Sequence, residues 1–119
     1  MEQETWGEEL RIDLFDCKRE KVTQKEYLKE YIKKVVELID MKPYGECLVE
    51  RFGEGDINGV SAFSFLMTSS IVVHCREDNG HSDCYINIFS CKDFDPQSAI
   101  IFSQGFFEAK KLDFDFKKR

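Results

Sequence analysis

The chain has 119 residues, with 17 Lys+Arg against 23 Asp+Glu and a formal net charge of −6. A single domain of that length buries roughly two-thirds of its unfolded surface, so it needs neither a metal nor a disulfide staple. The acidic balance speaks against a nucleic-acid partner, which needs a basic face. No apolar run approaches the ~20 residues of a membrane helix. Met1-Glu2-Gln3-Glu4 is acidic and no apolar run follows it, so a cytoplasmic globule spanning 1–119 as one domain is expected.

The first predicted strand is Glu8–Phe15, where Leu10, Ile12 and Leu14 alternate with Glu9, Arg11 and Asp13. A helix follows, opened by a capping box of Thr23 and Glu26. Leu28, Tyr31, Ile32, Val35, Leu38 and Ile39 recur at helical spacing and define its buried stripe. Pro43 closes the helical region, because the residue before a proline disfavours helical backbone angles. Glu46–Phe52 alternates weakly and leads into the glycine-rich turn Gly53–Gly59. Val60–Met67 and Ser70–Cys75 are strand-like and nearly uncharged. Glu77-Asp78-Asn79-Gly80 predicts a tight hairpin, Asn-Gly being the strongest short-range signal for one. Cys84–Ser90 alternates again, with Ile86 and Ile88 on one face and Tyr85, Asn87, Phe89 and Cys91 on the other. Asp95 caps a short helix with Pro96 in its first turn, expected to run to Gln104 and stop at Gly105. Leu112–Phe116 makes the last strand.

The order β-α-β-β-β-β-α-β predicts an α+β fold: a two-layer sandwich with a mainly antiparallel sheet and two helices on one face. Apolar and aromatic residues lie on both faces of the central strands. The second face is therefore expected to meet another surface, most simply a second subunit.

Five cysteines (Cys17, Cys47, Cys75, Cys84, Cys91) are odd in number and include no C-x-x-C pair. Reduced thiols buried as small hydrophobes are the default reading, with Cys91 set apart by its context. A zinc site built from Cys75, His81, Cys84 and Cys91 is disfavoured by strand parity, since residues seven apart on one strand face opposite ways. No metal is expected, and His81 reads as a surface residue of the hairpin.

The informative stretch runs from Gly59-Val60-Ser61 through Thr68-Ser69-Ser70 to His74. Taken alone, its serines and threonine read as local hydrogen-bonders in a turn. Joined with Trp6-Gly7-Glu8-Glu9-Leu10, the acidic-rich first helix, Ile86-Asn87-Ile88-Phe89-Ser90-Cys91 and Asp95-Pro96, it resembles the small bacterial and archaeal S-adenosylmethionine decarboxylases over nearly the whole chain. Those enzymes cleave themselves and carry a pyruvoyl group. The resemblance implies that Ser69 attacks the Thr68 carbonyl and becomes that group, leaving fragments 1–68 and 69–119. It implies that His74 supports proton transfer during processing, that Ser61 assists the hydroxyl chemistry, and that Cys91 returns a proton to the substrate carbon. Imidazole exchanges protons near neutrality, and a thiol of pKa ~8.5 is mostly protonated at pH 7. The ketone, once joined to the substrate amine, serves as the electron sink that no side chain provides.

Two departures stand out. Thr68 occupies a position usually held by Glu, and Cys75-Arg76-Glu77-Asp78 replaces a common Thr-Trp-Pro-Glu. Phe52 is a candidate to stack on adenine, and Glu77 or Asp78 to bind ribose hydroxyls or a cationic substrate. The expected partners are a small cationic amino-acid-type substrate and a second copy of the processed chain. The altered segment keeps two alternatives open: the same chemistry on L-ornithine or L-arginine, or an uncleaved paralogue that binds a ligand or partner.

Overall fold

The computed structural model describes residues 4–53 and 58–119, so the middle of the glycine-rich turn (54–57) lies outside the described residues. Chain order gives β1 (Glu8–Phe15), α1 (Arg19–Val22), α2 (Lys25–Leu38), β2 (Pro43–Phe52), β3 (Gly59–Leu66), β4 (Ser69–Asp78), β5 (His81–Ser90), α3 (Pro96–Phe107) and β6 (Lys111–Lys118). The strands form one sheet in the order β2-β3-β4-β5-β1-β6, and every pairing is antiparallel. The predicted α+β sandwich is correct, with one additional short helix, α1.

Parity separates the two faces of the sheet. Leu10, Ile12, Leu14, Val60, Ala62, Ile71, Val73, Ile86 and Ile88 all point to one side, where they meet Leu28, Tyr31, Ile32 and Val35 of α2 and Ala99 and Phe107 of α3. The helices are clamped together by rings: Tyr27 stacks on Phe106 at 4.3 Å, and Phe107 lies 5.0 Å from Tyr31. On the other side no helix covers the sheet among the described residues. There Tyr44, Leu48, Phe52 and Phe65 are 64%, 61%, 60% and 58% exposed.

Local expectations were overturned at four points. Thr23 does not cap α2; its hydroxyl donates back to Arg19 O and finishes α1, and Gln24 precedes α2 without a side-chain cap. Leu38 is 47% exposed, and Val36 is buried in its place because the last turn carries Leu38 to the edge of the apolar stripe. Helix α2 ends before Pro43, at Ile39 and a left-handed Asp40 (φ 56°). Pro43 instead opens β2, which an edge strand tolerates because one side of its ladder needs no donor. Gly105 does not stop α3, which continues through Phe107 and closes at left-handed Glu108 (φ 50°). The stacking of Phe106 and Phe107 on Tyr27 and Tyr31 favours that extra turn.

The Asn79-Gly80 hairpin is as expected, with both residues at positive φ (47° and 79°), the pattern of a type I′ turn. Asp95 also caps α3 as expected, accepting from Gln97 N at 3.0 Å.

Candidate active site

Strands β3 and β4 are joined by the two-residue turn Met67-Thr68, closed by the pair Leu66–Ser69. Thr68 sits at φ 60°, in the left-handed region. A β-branched side chain is unfavourable there, at a cost of roughly 1–3 kcal/mol. The strain falls on the residue that supplies the carbonyl side of the Thr68–Ser69 peptide bond.

The end of β5 delivers Cys91 to this turn, because Ser70 pairs with Phe89 in the neighbouring ladder. Cys91 N donates to Ser69 Oγ at 3.1 Å, and Thr68 Oγ1 lies 2.6 Å from Cys91 Sγ. The Thr68 hydroxyl also reaches Met67 O at 2.5 Å. These contacts hold the Cys91 thiol below the ordinary cysteine value, the Thr68 hydroxyl contributing most, burial opposing it, and Ser69 adding to the lowering. Burial drives other cysteines the opposite way: Cys17 is pushed up to about 12, and Cys84, facing Cys75 at 3.0 Å in the core, lies well above the ordinary value.

Thr68, Ser69 and Cys91 line a cleft of about 330 Å³ with Asp40, Met41, Lys42, Met67 and Lys92. A smaller cavity of about 150 Å³ shares Cys91 and Lys92 and reaches Trp6. The Trp6 ring is 65% exposed and stacks on Phe89 at 5.9 Å. Trp6 and the Thr68 hydroxyl were not singled out from the sequence as site groups. An exposed tryptophan next to the first strand was the available signal for one; the other required the fold.

Ser61 and His74 form a second centre. They pair directly across β3 and β4, with Ser61 Oγ 2.8 Å from His74 Nδ1, on the uncovered face of the sheet. His74 is five residues from Ser69 along β4, which is about 16 Å at ~3.3 Å per residue. Within one subunit the structure therefore brings Thr68, Ser69 and Cys91 together, and brings Ser61 and His74 together, but keeps the two groups apart. Phe52 lies on the same uncovered face, opposite Gly59. Glu77 and Asp78 sit at the far end of β4, in ion pairs with Arg19 (2.8 Å) and Arg76 (3.2 Å).

Fold and cleft define a class: a small antiparallel α+β sandwich in which a strained hairpin sets a serine against a thiol. The solved adenosylmethionine decarboxylase of Aquifex aeolicus has the same fold, with a TM-score of 0.78 and 15% identity over 98% of this chain and 92% of that one. The family described as S-adenosylmethionine decarboxylase matches residues 8–119, and the chain belongs to that family. Two relatives, both from strains of Clostridium botulinum (Hall and ATCC 19397) and each named S-adenosylmethionine decarboxylase proenzyme, are 28% identical over 108 residues, which is 90% of this chain and 88% of theirs.

Proposed function

We propose that the chain is a self-processing, pyruvoyl-dependent S-adenosylmethionine decarboxylase acting in polyamine synthesis. The observation that carries this reading is the left-handed Thr68 directly before a serine whose Oγ is held by Cys91 N. Ser69 Oγ adds to the Thr68 carbonyl carbon and the C–N bond breaks, converting the amide to an ester. Loss of the Ser69 α-proton then expels Thr68 as a carboxylate, and water replaces the nitrogen on the Ser69 α-carbon, releasing ammonia. The chain becomes fragments 1–68 and 69–119. Relief of backbone strain at Thr68 favours the first step.

The residues present fit a pyruvoyl group at position 69. When formed, that group supplies a ketone that takes up the substrate amine and accepts the electrons left by departing carbon dioxide. Cys91, beside it, holds the proton that returns to the substrate carbon. Trp6 offers a flat ring to adenine at the cavity next to Cys91. The names of the Clostridium relatives favour S-adenosylmethionine over ornithine or arginine.

The functional unit is a homodimer. Exposed apolar side chains on one sheet face mark an association surface, and sheets stack face to face at ~10 Å. A two-fold axis near Val72, midway between Ser69 and His74, would place the partner's His74 and the partner's Ser61 across the interface from the Ser69 end of β4. That arrangement replaces the separation of about 16 Å within one subunit by the ~10 Å spacing of stacked sheets, which the His74 side chain spans in part.

Intact mass after prolonged incubation tests the reading. Fragments 1–68 and 69–119, the second carrying an N-terminal ketone and both absent in Ser69→Ala, are the expected result. A chain that stays whole, with an ordinary serine at 69, overturns it and favours the uncleaved ligand-binding paralogue.

A further inference from the structure

Cys91 is touched by two hydroxyls, and processing treats them differently. Ser69 Oγ accepts from Cys91 N at 3.1 Å, but β-elimination removes that oxygen from residue 69. Thr68 Oγ1, 2.6 Å from Cys91 Sγ, is untouched by the chemistry. After the cut Thr68 is the last residue of its fragment, and it remains anchored because Met67 N donates to Lys42 O at 3.1 Å and Leu66 stays in the β3 strand.

The hydroxyl has one proton and two acceptors within reach. A carbonyl only accepts, so the 2.5 Å contact with Met67 O uses the Thr68 proton. The contact with Cys91 is then S–H donating to Oγ1. When the thiol has lost its proton, rotation about the Cβ–Oγ1 bond turns the hydroxyl from Met67 O to the thiolate. One side chain thus serves both protonation states without backbone movement.

We propose that Thr68, beyond supplying the carbonyl at the cleavage point, is the positioning residue of Cys91 in the processed enzyme, accepting from the thiol before proton transfer and donating to the thiolate after it. The assignment rests on the decarboxylase reading above. No atoms are exchanged with Thr68: the proton passes from Sγ to the substrate carbon, the electron pair stays on sulfur, and the hydroxyl only reorients. Donation to an ion is stronger than a neutral contact, so losing the hydroxyl penalises the thiolate most.

The test compares Thr68→Val, which keeps the β-branched shape, with Thr68→Ser, which keeps the hydroxyl. Iodoacetamide labelling of Cys91 against pH, read by peptide mass, is measured in the processed proteins and again in a Ser69→Ala background where no chain is cut. In Thr68→Val the labelling midpoint is expected to rise by about one pH unit, a tenfold fall in thiolate fraction at a given pH. The alkaline limb of kcat in the processed fraction should move the same way, and Thr68→Ser should restore both. An unchanged midpoint in Thr68→Val in both backgrounds, with normal cutting of the wild type, overturns the positioning role alone. A wild type that never cuts overturns the decarboxylase reading, and the role of Thr68 in turnover with it; that result is read from intact mass and is not confused with the first.

Discussion

Mixing Ser69→Ala chains with His74→Ala chains asks whether each site is assembled from two subunits. Hydrogen-bonded proton transfer requires heavy atoms about 2.6–3.2 Å apart, or one water between them. His74 stands about 16 Å along β4 from Ser69, far beyond that reach, so the two do not meet within one subunit. Loss of a positioned proton carrier slows a reaction by roughly 10²–10⁴-fold, so His74→Ala alone should stay essentially whole, and Ser69→Ala wholly so. In a mixed dimer one cleft combines an intact Ser69 with the partner's intact His74, while the other lacks both. Random exchange makes about half the dimers mixed, so about a quarter of all chains should cut, every one of them a His74→Ala chain. The assay is intact mass after dissociation and re-association of the two preparations, which identifies the cleaved chain by its substitution. A mixture that stays whole while wild-type chains cut under the same treatment would refute the two-subunit site.

Other consequences follow from the same geometry. Cys91→Ala should still cut but lose turnover by about 10²–10⁴-fold in a carbon dioxide release assay. With Cys91 as the proposed acid, its thiol held below the ordinary cysteine value, turnover should fall as pH rises through a limb below that value; a limb that persists unchanged in Cys91→Ser would assign it elsewhere. Leu48→Glu places a charge on the uncovered sheet face and should yield a folded monomer by ultracentrifugation that cuts poorly; a normal dimer would move the interface to another surface. Phe107→Ala empties a fully buried ring site between Tyr27 and Tyr31 and should cost about 3–5 kcal/mol in urea titration. Fragments 1–68 and 69–119 should co-elute under native conditions and separate only in denaturant.

The elements that the sequence disclosed are those whose signal is local. Leu10-Ile12-Leu14 alternation marks β1, Asn79-Gly80 dictates a turn by its backbone freedom, and Asp95-Pro96 starts α3 by capping chemistry. Those that escaped depend on partners distant in sequence. Thr23 and Glu26 spell a capping box, yet Thr23 is taken by Arg19 O. Gly105 looks like a stop, yet rings packed on α2 carry the helix past it. At the site, Ser61, Ser69, His74 and Cys91 were picked out by the resemblance, not by spacing. Their division into two centres was invisible, because strand parity and a rise of ~3.3 Å per residue acquire meaning only once the register Ser61–His74 and Leu66–Ser69 is known.

That register also explains how a chain can be cut in its central hairpin without coming apart. Fragment 1–68 would hold β1, β2 and β3, and fragment 69–119 would hold β4, β5 and β6. In the sheet order β2-β3-β4-β5-β1-β6 the two sets interleave: β4 lies against β3, and β1 is clasped between β5 and β6. Three of the five strand pairings therefore join one fragment to the other, and α3 of the second packs on α2 of the first through Tyr31, Phe106 and Phe107. The Thr68–Ser69 bond closes an exposed two-residue turn and carries no ladder hydrogen bond beyond the Leu66–Ser69 pair. Strain can be concentrated in that turn because the rest of the fold does not depend on its continuity. In the proposed processed form the same interleaving would keep Thr68, then a chain end, beside Cys91.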